Sequence, residues 1–236
     1  SVGLSIADVV VASATVNLSK TPVTGIDDPN DAGAQTLLGD LLEVSVTDAN
    51  LFIGTGASLD DAAYLDPPTN SVPNPSFGDA TLPASNDPAA VGFAVANGSF
   101  DLAVFTATSE DADGAGAGLP VVLATPEKYT GIQASLGRVQ LQGISVLKLI
   151  ATDLSLKQNS TSVASGSLLD WSAVDGDTDG VEINPATDPA LEIGGSVGLS
   201  IADVVVASAT VNLSKTPVTG IDDPNDAGAQ TLLGDL

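Results

Sequence analysis

The sequence predicts an all-β protein: antiparallel sheets in an elongated tandem-repeat rod, either β-solenoid-like or made of stacked β-sandwich or roll modules. Three observations lead there. Residues 196–236 repeat residues 1–41 letter for letter, at an offset of 195. Apolar residues alternate with small or polar ones along much of the chain, the period of a half-buried strand. No window carries a sustained helical period with caps. A period of 195 residues is far longer than one solenoid turn of about 20–45 residues, and long enough for a module with its own core. Residues 1–195 are therefore read as one full period and 196–236 as the start of the next. On this reading the two ends are arbitrary cuts through a longer periodic sequence. The alternative, an overlapping segment joined to one domain, is disfavoured because the duplicated piece begins and ends inside strand-like sequence.

Taken in order, Val2, Leu4 and Ile6 alternate with Gly3, Ser5 and Ala7, and Val10, Ala12, Ala14, Val16 and Leu18 continue the same parity. That predicts one long strand or two in sequence. Ala32–Leu41 is the best helical candidate. Further strands are expected at 42–53, 91–96, 99–107, 119–124, 131–142, 143–157 and 167–174. Asn97–Gly98 suits a two-residue type I′ hairpin turn, which would set Val95 opposite Phe100, Phe93 opposite Leu102 and Val91 opposite Val104. An antiparallel pairing there counts against a simple parallel β-helix. The segments 9–18, 43–53 and 147–156 each interrupt a β-branched run with small Ser, Thr, Asp or Ala residues, a pattern that marks a bulge or a bend. Residues 20–36 and 54–90 read as long loops, the second carrying Pro67, Pro68, Pro73, Pro75, Pro83 and Pro88. Loops this long are usually functional or mobile. In an array they recur on one side at every period and form the natural contact surface.

The stretches VGFAVANGSFDLAVF, YTGIQASLGRVQLQGISVLKLIATDLSLKQNST and GGSVGLSIADVVVASATVNLSKT, with LEVSVTDANLFIGTG, resemble the tandem repeat units of giant bacterial secreted and cell-surface proteins. The likeness covers most of the period and rests on strand patterning rather than an invariant motif. It implies a long chain of similar β-rich modules acting as a surface fibre, adhesin or matrix component, and it brings no catalytic residues with it.

The chain holds 30 acidic residues against 6 basic ones, a net charge of −24, yet 43% of its residues are apolar. Strongly acidic chains poor in apolar residues remain disordered; this one has enough to build a core. The sign of the charge disfavours nucleic acid and anionic membranes as partners, since both require clustered Lys and Arg. Cys, His and Met are all absent, so there are no disulfides or thiolates and no methionine to oxidise. These absences suit an extracellular or cell-surface protein. Apolar runs are too short for a membrane span. Without His or Cys the usual nucleophile–base pairs are missing, and the eight aromatics are spread along the chain, several of them in strand phase. An enzyme is not expected.

The sharpest local motif is Asp175-Gly-Asp177-Thr-Asp179-Gly180. Alternating carboxylates ending in glycine can wrap calcium, which takes six to eight oxygens from a tight turn. Loop position twelve of an EF-hand would need Glu and has Ala186, so Glu182 or Asp188 would have to complete a different geometry. A solvated acidic turn is the competing reading. Asp27, Asp28 and Asp31 form a weaker cluster, as do Glu110, Asp111 and Asp113. The expected function is a structural building block of an extracellular bacterial filament, appendage or surface layer. Its expected partners are adjacent repeats and neighbouring chains, with calcium as the expected ion. The rival is a calcium-dependent adhesin gripping carbohydrate or protein through loops 20–36 and 54–90.

Overall fold

The computed structural model describes residues 1–7, 9–31, 35–56, 58–59, 80–81, 91–111, 119–174, 180–202, 204–222 and 231–235. Its main element is one open antiparallel sheet of eight strands: β1 (Val2–Ile6), β2 (Val10–Asp27), β3 (Thr36–Thr55), β6 (Val91–Asp111), β7 (Val121–Gln142), β8 (Leu147–Thr161), β9 (Leu191–Ile201) and β10 (Val205–Lys215), paired in that order. Two small two-stranded antiparallel sheets are made by β4 (Ser58–Leu59) with β5 (Ala80–Thr81), and by β11 (Pro217–Asp222) with β12 (Thr231–Asp235). A single helical turn, α1 (Trp171–Val174), is the only helix among the described residues. The all-β, antiparallel expectation is met.

The central strands are long. At 22 residues, β7 extends for about 70 Å at 3.2–3.4 Å per residue. A transverse seam of irregular backbone bends them midway. Asp48, Asn97 and Asp153 all adopt left-handed φ, at 53°, 56° and 55°. The ladder slips between Ser13 and Thr15, around Val46–Leu51, and between Thr152 and Ser155. Asn and Asp tolerate this conformation because their short polar side chains bond locally. The bulges expected in segments 9–18, 43–53 and 147–156 are therefore present, and they lie side by side.

This seam overturns the hairpin at Asn97–Gly98. Asn97 lies inside the unbroken strand β6, where Val95 faces Leu51 and Val139, and Phe100 faces Val46 and Ala134. The left-handed residue kinks the strand instead of reversing it. Buried positions change parity across the kink, from Ala94 on one side to Ala103, Phe105 and Ala107 on the other. The same change of parity in the sequence is what suggests a turn.

Three further expectations are corrected. Leu37–Leu41, read as helix, belong to β3, where buried Leu37 and Leu41 pack in the core; residues 32–34 lie outside the described residues. Residues 20–27 of the first predicted loop continue β2 as far as Asp27, which faces Thr36, so the connection is only 28–35. Pro22 is tolerated because β1 pairs only residues 10–14, leaving β2 an edge beyond that point. Residues 167–174 are not a strand. They run irregularly over the sheet and wind into α1.

The main core lies where this connection between β8 and β9 packs on the sheet. Leu169, Trp171, Val181 and Ile183 cover Leu41, Ala103, Phe105 and Tyr129. Gly131 makes room for the indole: a Cβ there would stand 2.7 Å from Trp171 Nε1. Buried Asn159 accepts the indole N–H at 3.0 Å and donates to the Leu169 carbonyl at 2.8 Å, fastening the connection to β8.

Candidate assembly edges and acidic loops

The exact repeat puts one sequence into two environments. Residues 2–6 pair with 10–14 as the β1–β2 hairpin, and residues 197–201 pair with 205–209 in the same register as part of β9–β10. Both turns contain a left-handed alanine, Ala7 (φ 50°) and Ala202 (φ 51°). The pairing of Pro22, Val23, Ile26 and Asp27 with Asp40, Gly39, Leu37 and Thr36 is likewise reproduced between β11 and β12. The backbone programme is thus local to the sequence.

The neighbours differ. In the first copy β1 is the sheet edge and β2 lies inside, against β3; in the second copy β9 lies inside, against β8, and β10 is the edge. Val11 is 0% exposed beside Phe52, whereas its counterpart Val206 is 77% exposed. β10 carries one charged residue, Lys215, in eleven. Natural edges are usually blunted by charge, proline or covering loops; this one has a single charge and no proline.

Of the carboxylates marked in the sequence, Asp175, Asp177, Asp179 and Asp113 lie outside the described residues. The topology brings two separate clusters to one end of the sheet: Thr36 is paired with Asp27 on one side and Asp111 on the other, with Glu110 opposite neighbouring Leu37. Asp28 closes the β2–β3 connection on itself. Its Oδ1 accepts the Asn30 N–H at 2.8 Å and its carbonyl accepts the Asp31 N–H at 3.2 Å. Glu182 stands on the covering connection, where its N–H donates to Gln133 Oε1 at 3.3 Å. Asp188 is committed elsewhere, to Lys157 at 3.0 Å and to the Asn184 N–H at 3.0 Å. The Asn184 N–H, then Lys157, hold its carboxyl below the ordinary range. No group of three or more carboxylates among the described residues is arranged to hold a metal ion.

Sequence reasoning misses one polar lock. Asn30 Nδ2 donates to the Tyr129 hydroxyl at 2.9 Å, that hydroxyl donates to Glu127 at 2.7 Å, and Asn30 Oδ1 accepts the Ser167 N–H at 2.7 Å. Burial, then the Glu127 carboxylate, push the Tyr129 phenol well above its usual pKa. The only signal in the sequence is the rarity of aromatics. Beside this lock opens a cleft of about 1080 Å³ between Thr24–Pro29 and the connection at Ser165–Val174, with Asp27, Asp170 and Asp188 in its lining.

No helix among the described residues is long and apolar enough to cross a membrane. No protein-family model matches the chain, and comparison with curated proteins and with solved structures finds no similar one.

Proposed function

We propose that the chain is a structural building block of an extracellular bacterial filament, appendage or surface layer, built from tandem identical repeats whose sheets join edge to edge. The complementarity of the two copies carries this reading. Each strand of the repeated hairpin is an edge in one copy and an interior strand in the other. Superposed, they describe a hairpin with β8 of one period on its left and β3 of the next on its right, leaving neither edge open. Six sheet strands, β1, β2, β3, β6, β7 and β8, then recur per period, and six spacings of about 4.8 Å add about 29 Å of length. The absence of Cys and Met and the surplus of acid fit a durable extracellular material. Nothing in this reading requires catalysis.

Calcium is the ion we assign to the acidic loops, because it screens repulsion between periods carrying like charge. The adhesin reading would seat its target in the cleft beside Thr24–Pro29 and gain avidity from repetition. The test is small-angle scattering and electron microscopy of chains carrying one, two and three periods. Each added period should lengthen the particle by about 29 Å at constant cross-section. Separate beads on a string would refute a shared sheet. A chelator should shorten native threads and lower their melting temperature; unchanged threads would remove the ion.

A further inference from the structure

On the side of the seam away from the main core, one face of the sheet is a continuous apolar surface. Ala12, Leu51, Val95, Val139, Ala151 and Val197 pair across β2, β3, β6, β7, β8 and β9 as one row of it. In the next row Ile53, Phe93 and Leu141 pair across β3, β6 and β7, and Leu149 pairs with Leu199 across β8 and β9. Val11, Phe52 and Ala94, at the alternate positions, belong to the opposite face and are buried. On the apolar face Ile53 stays 47% exposed, Val91 45% and Phe93 37%. Strands β3, β6, β7 and β8 each have a paired strand on both sides, so this exposure belongs to the face and not to a rim.

We infer that this face pairs with the same face of a second copy, the two sheets stacking across a two-fold axis into a β-sandwich. Charge is the first reason for that occupant. In a chain of net charge −24, none of the residues in these rows is charged; Arg138 and Lys148 stand at alternate positions, opposite Thr152 and Ser200. Acidic copies repel wherever carboxylates meet, and this face offers contact without any. It also lacks the basic rim that an anionic membrane would hold. Relief is the second reason. Ile53, Phe93, Leu141, Leu149 and Leu199 make a ridge, whereas all but Leu51 in the row beside it are Val or Ala. Turned about a two-fold axis, the ridge of one copy lies in the furrow of the other, the large-against-small fit of packed sheets. An isologous contact needs such a self-complementary surface. Area is the third. Eight strands about 4.8 Å apart, with three residues of the face about 6.7 Å apart on a strand such as β9 (Val197, Leu199 and Ile201), make a footprint of about 750 Å². A stable interface takes about 800 Å² from each partner. The inference goes beyond edge-to-edge joining: edges lengthen a sheet, whereas this face doubles it, and neither contact requires the other.

Sedimentation of the full chain over a concentration series tests the contact. The wild type should dimerise in the micromolar range, where the weaker interfaces of this size lie. Ile53→Glu puts a carboxylate on the ridge at a position the single chain leaves exposed. It should keep the circular dichroism spectrum and raise the dissociation constant about a hundredfold or more. Val206→Lys, on β10 and in line with Ser200 and Lys148 of the opposite face, should dimerise as the wild type does. A thiol introduced by Ile53→Cys should be alkylated about tenfold more slowly above the dissociation constant than below it, a readout that stands if Ile53→Glu folds poorly. A wild type still monomeric at about 100 μM would overturn the inference, and binding of that monomer to phosphatidylcholine vesicles would give the face to lipid instead. A dimer that Ile53→Glu leaves intact and Val206→Lys abolishes would also overturn it, since that is the signature of paired edges.

Discussion

Val10–Lys20 and Val205–Lys215 share every side chain and their local hairpin register, yet one strand lies inside the sheet and the other at its rim. The first is fastened on one side by five pairs to β1 and on the other to β3; the second is fastened by eleven pairs to β9 and, among the described residues, has no strand paired beyond it. The comparison separates two quantities that usually travel together. Strand formation follows the local alternation of apolar and small residues, whereas burial follows the neighbour. A strand that is stable at the rim and also fits the interior is what an extendable sheet requires.

The largest contrast should come from charge at the shared position. In dilute solution, where copies are separate, Val11→Lys should cost about 3 kcal/mol or more in urea unfolding, since it buries an ammonium against Phe52. Val206→Lys should change stability by no more than about 0.5 kcal/mol. Equal effects would mean that the two strands do not occupy different environments.

A second contrast lies at the paired glycines. A Cβ on Gly39 would overlap the Thr106 carbonyl oxygen, because β6 packs its backbone tightly against β3. Its counterpart Gly234 sits in the two-stranded sheet of β11 and β12. Gly39→Ala should destabilise by about 2 kcal/mol, and Gly234→Ala by less than about 0.5 kcal/mol. Thermal unfolding of both variants checks this, and matching losses would show that β12 is as crowded as β3.

The smallest contrast concerns support rather than sequence. β9 runs beside β8, whose Lys157 holds Asp188 of the covering connection; among the described residues, no strand pairs with β1 on its outer side. The Asp188 carboxyl titrates below its unfolded value. Its contribution is therefore present above about pH 4 and is lost as pH falls through the lowered folded value. For a partly exposed pair the loss should be under about 1 kcal/mol. Asp188→Asn should remove that part of the acid dependence of the melting temperature; an unchanged profile would show the pair to be idle.

Fold class and antiparallel pairing were legible because alternation is a local property, and the exact repeat announces that one sequence stands at two places in the chain. The bulge seam was half legible. Thr47-Asp48-Ala49-Asn50 and Ala151-Thr152-Asp153-Leu154 carry small polar interruptions that mark a bulge, whereas Asn97–Gly98 has the chemistry of both a turn and a kink. Only the partners on β3 and β7, distant in sequence, decide between them. Helix at Ala32–Leu41 failed because its leucines pack across strands rather than along one face. The connection that covers the sheet was illegible, since Asn159, Gly131 and Trp171 meet through long-range packing with no common spacing. At the acidic motifs, sequence distance hid the approach of Asp27 and Asp111 across Thr36.

The absence of native cysteine allows one direct test of whether the rim of one period is the interior of the next. The alkylation rate of the thiol introduced by Val206→Cys would be compared in this chain and in one extended by residues 42–195 of the period, with Val11→Cys as the buried standard. The account predicts that extension slows the reaction about a hundredfold or more, towards the buried standard. An unchanged rate after extension would mean that β10 remains a rim strand, and the shared sheet would be refuted.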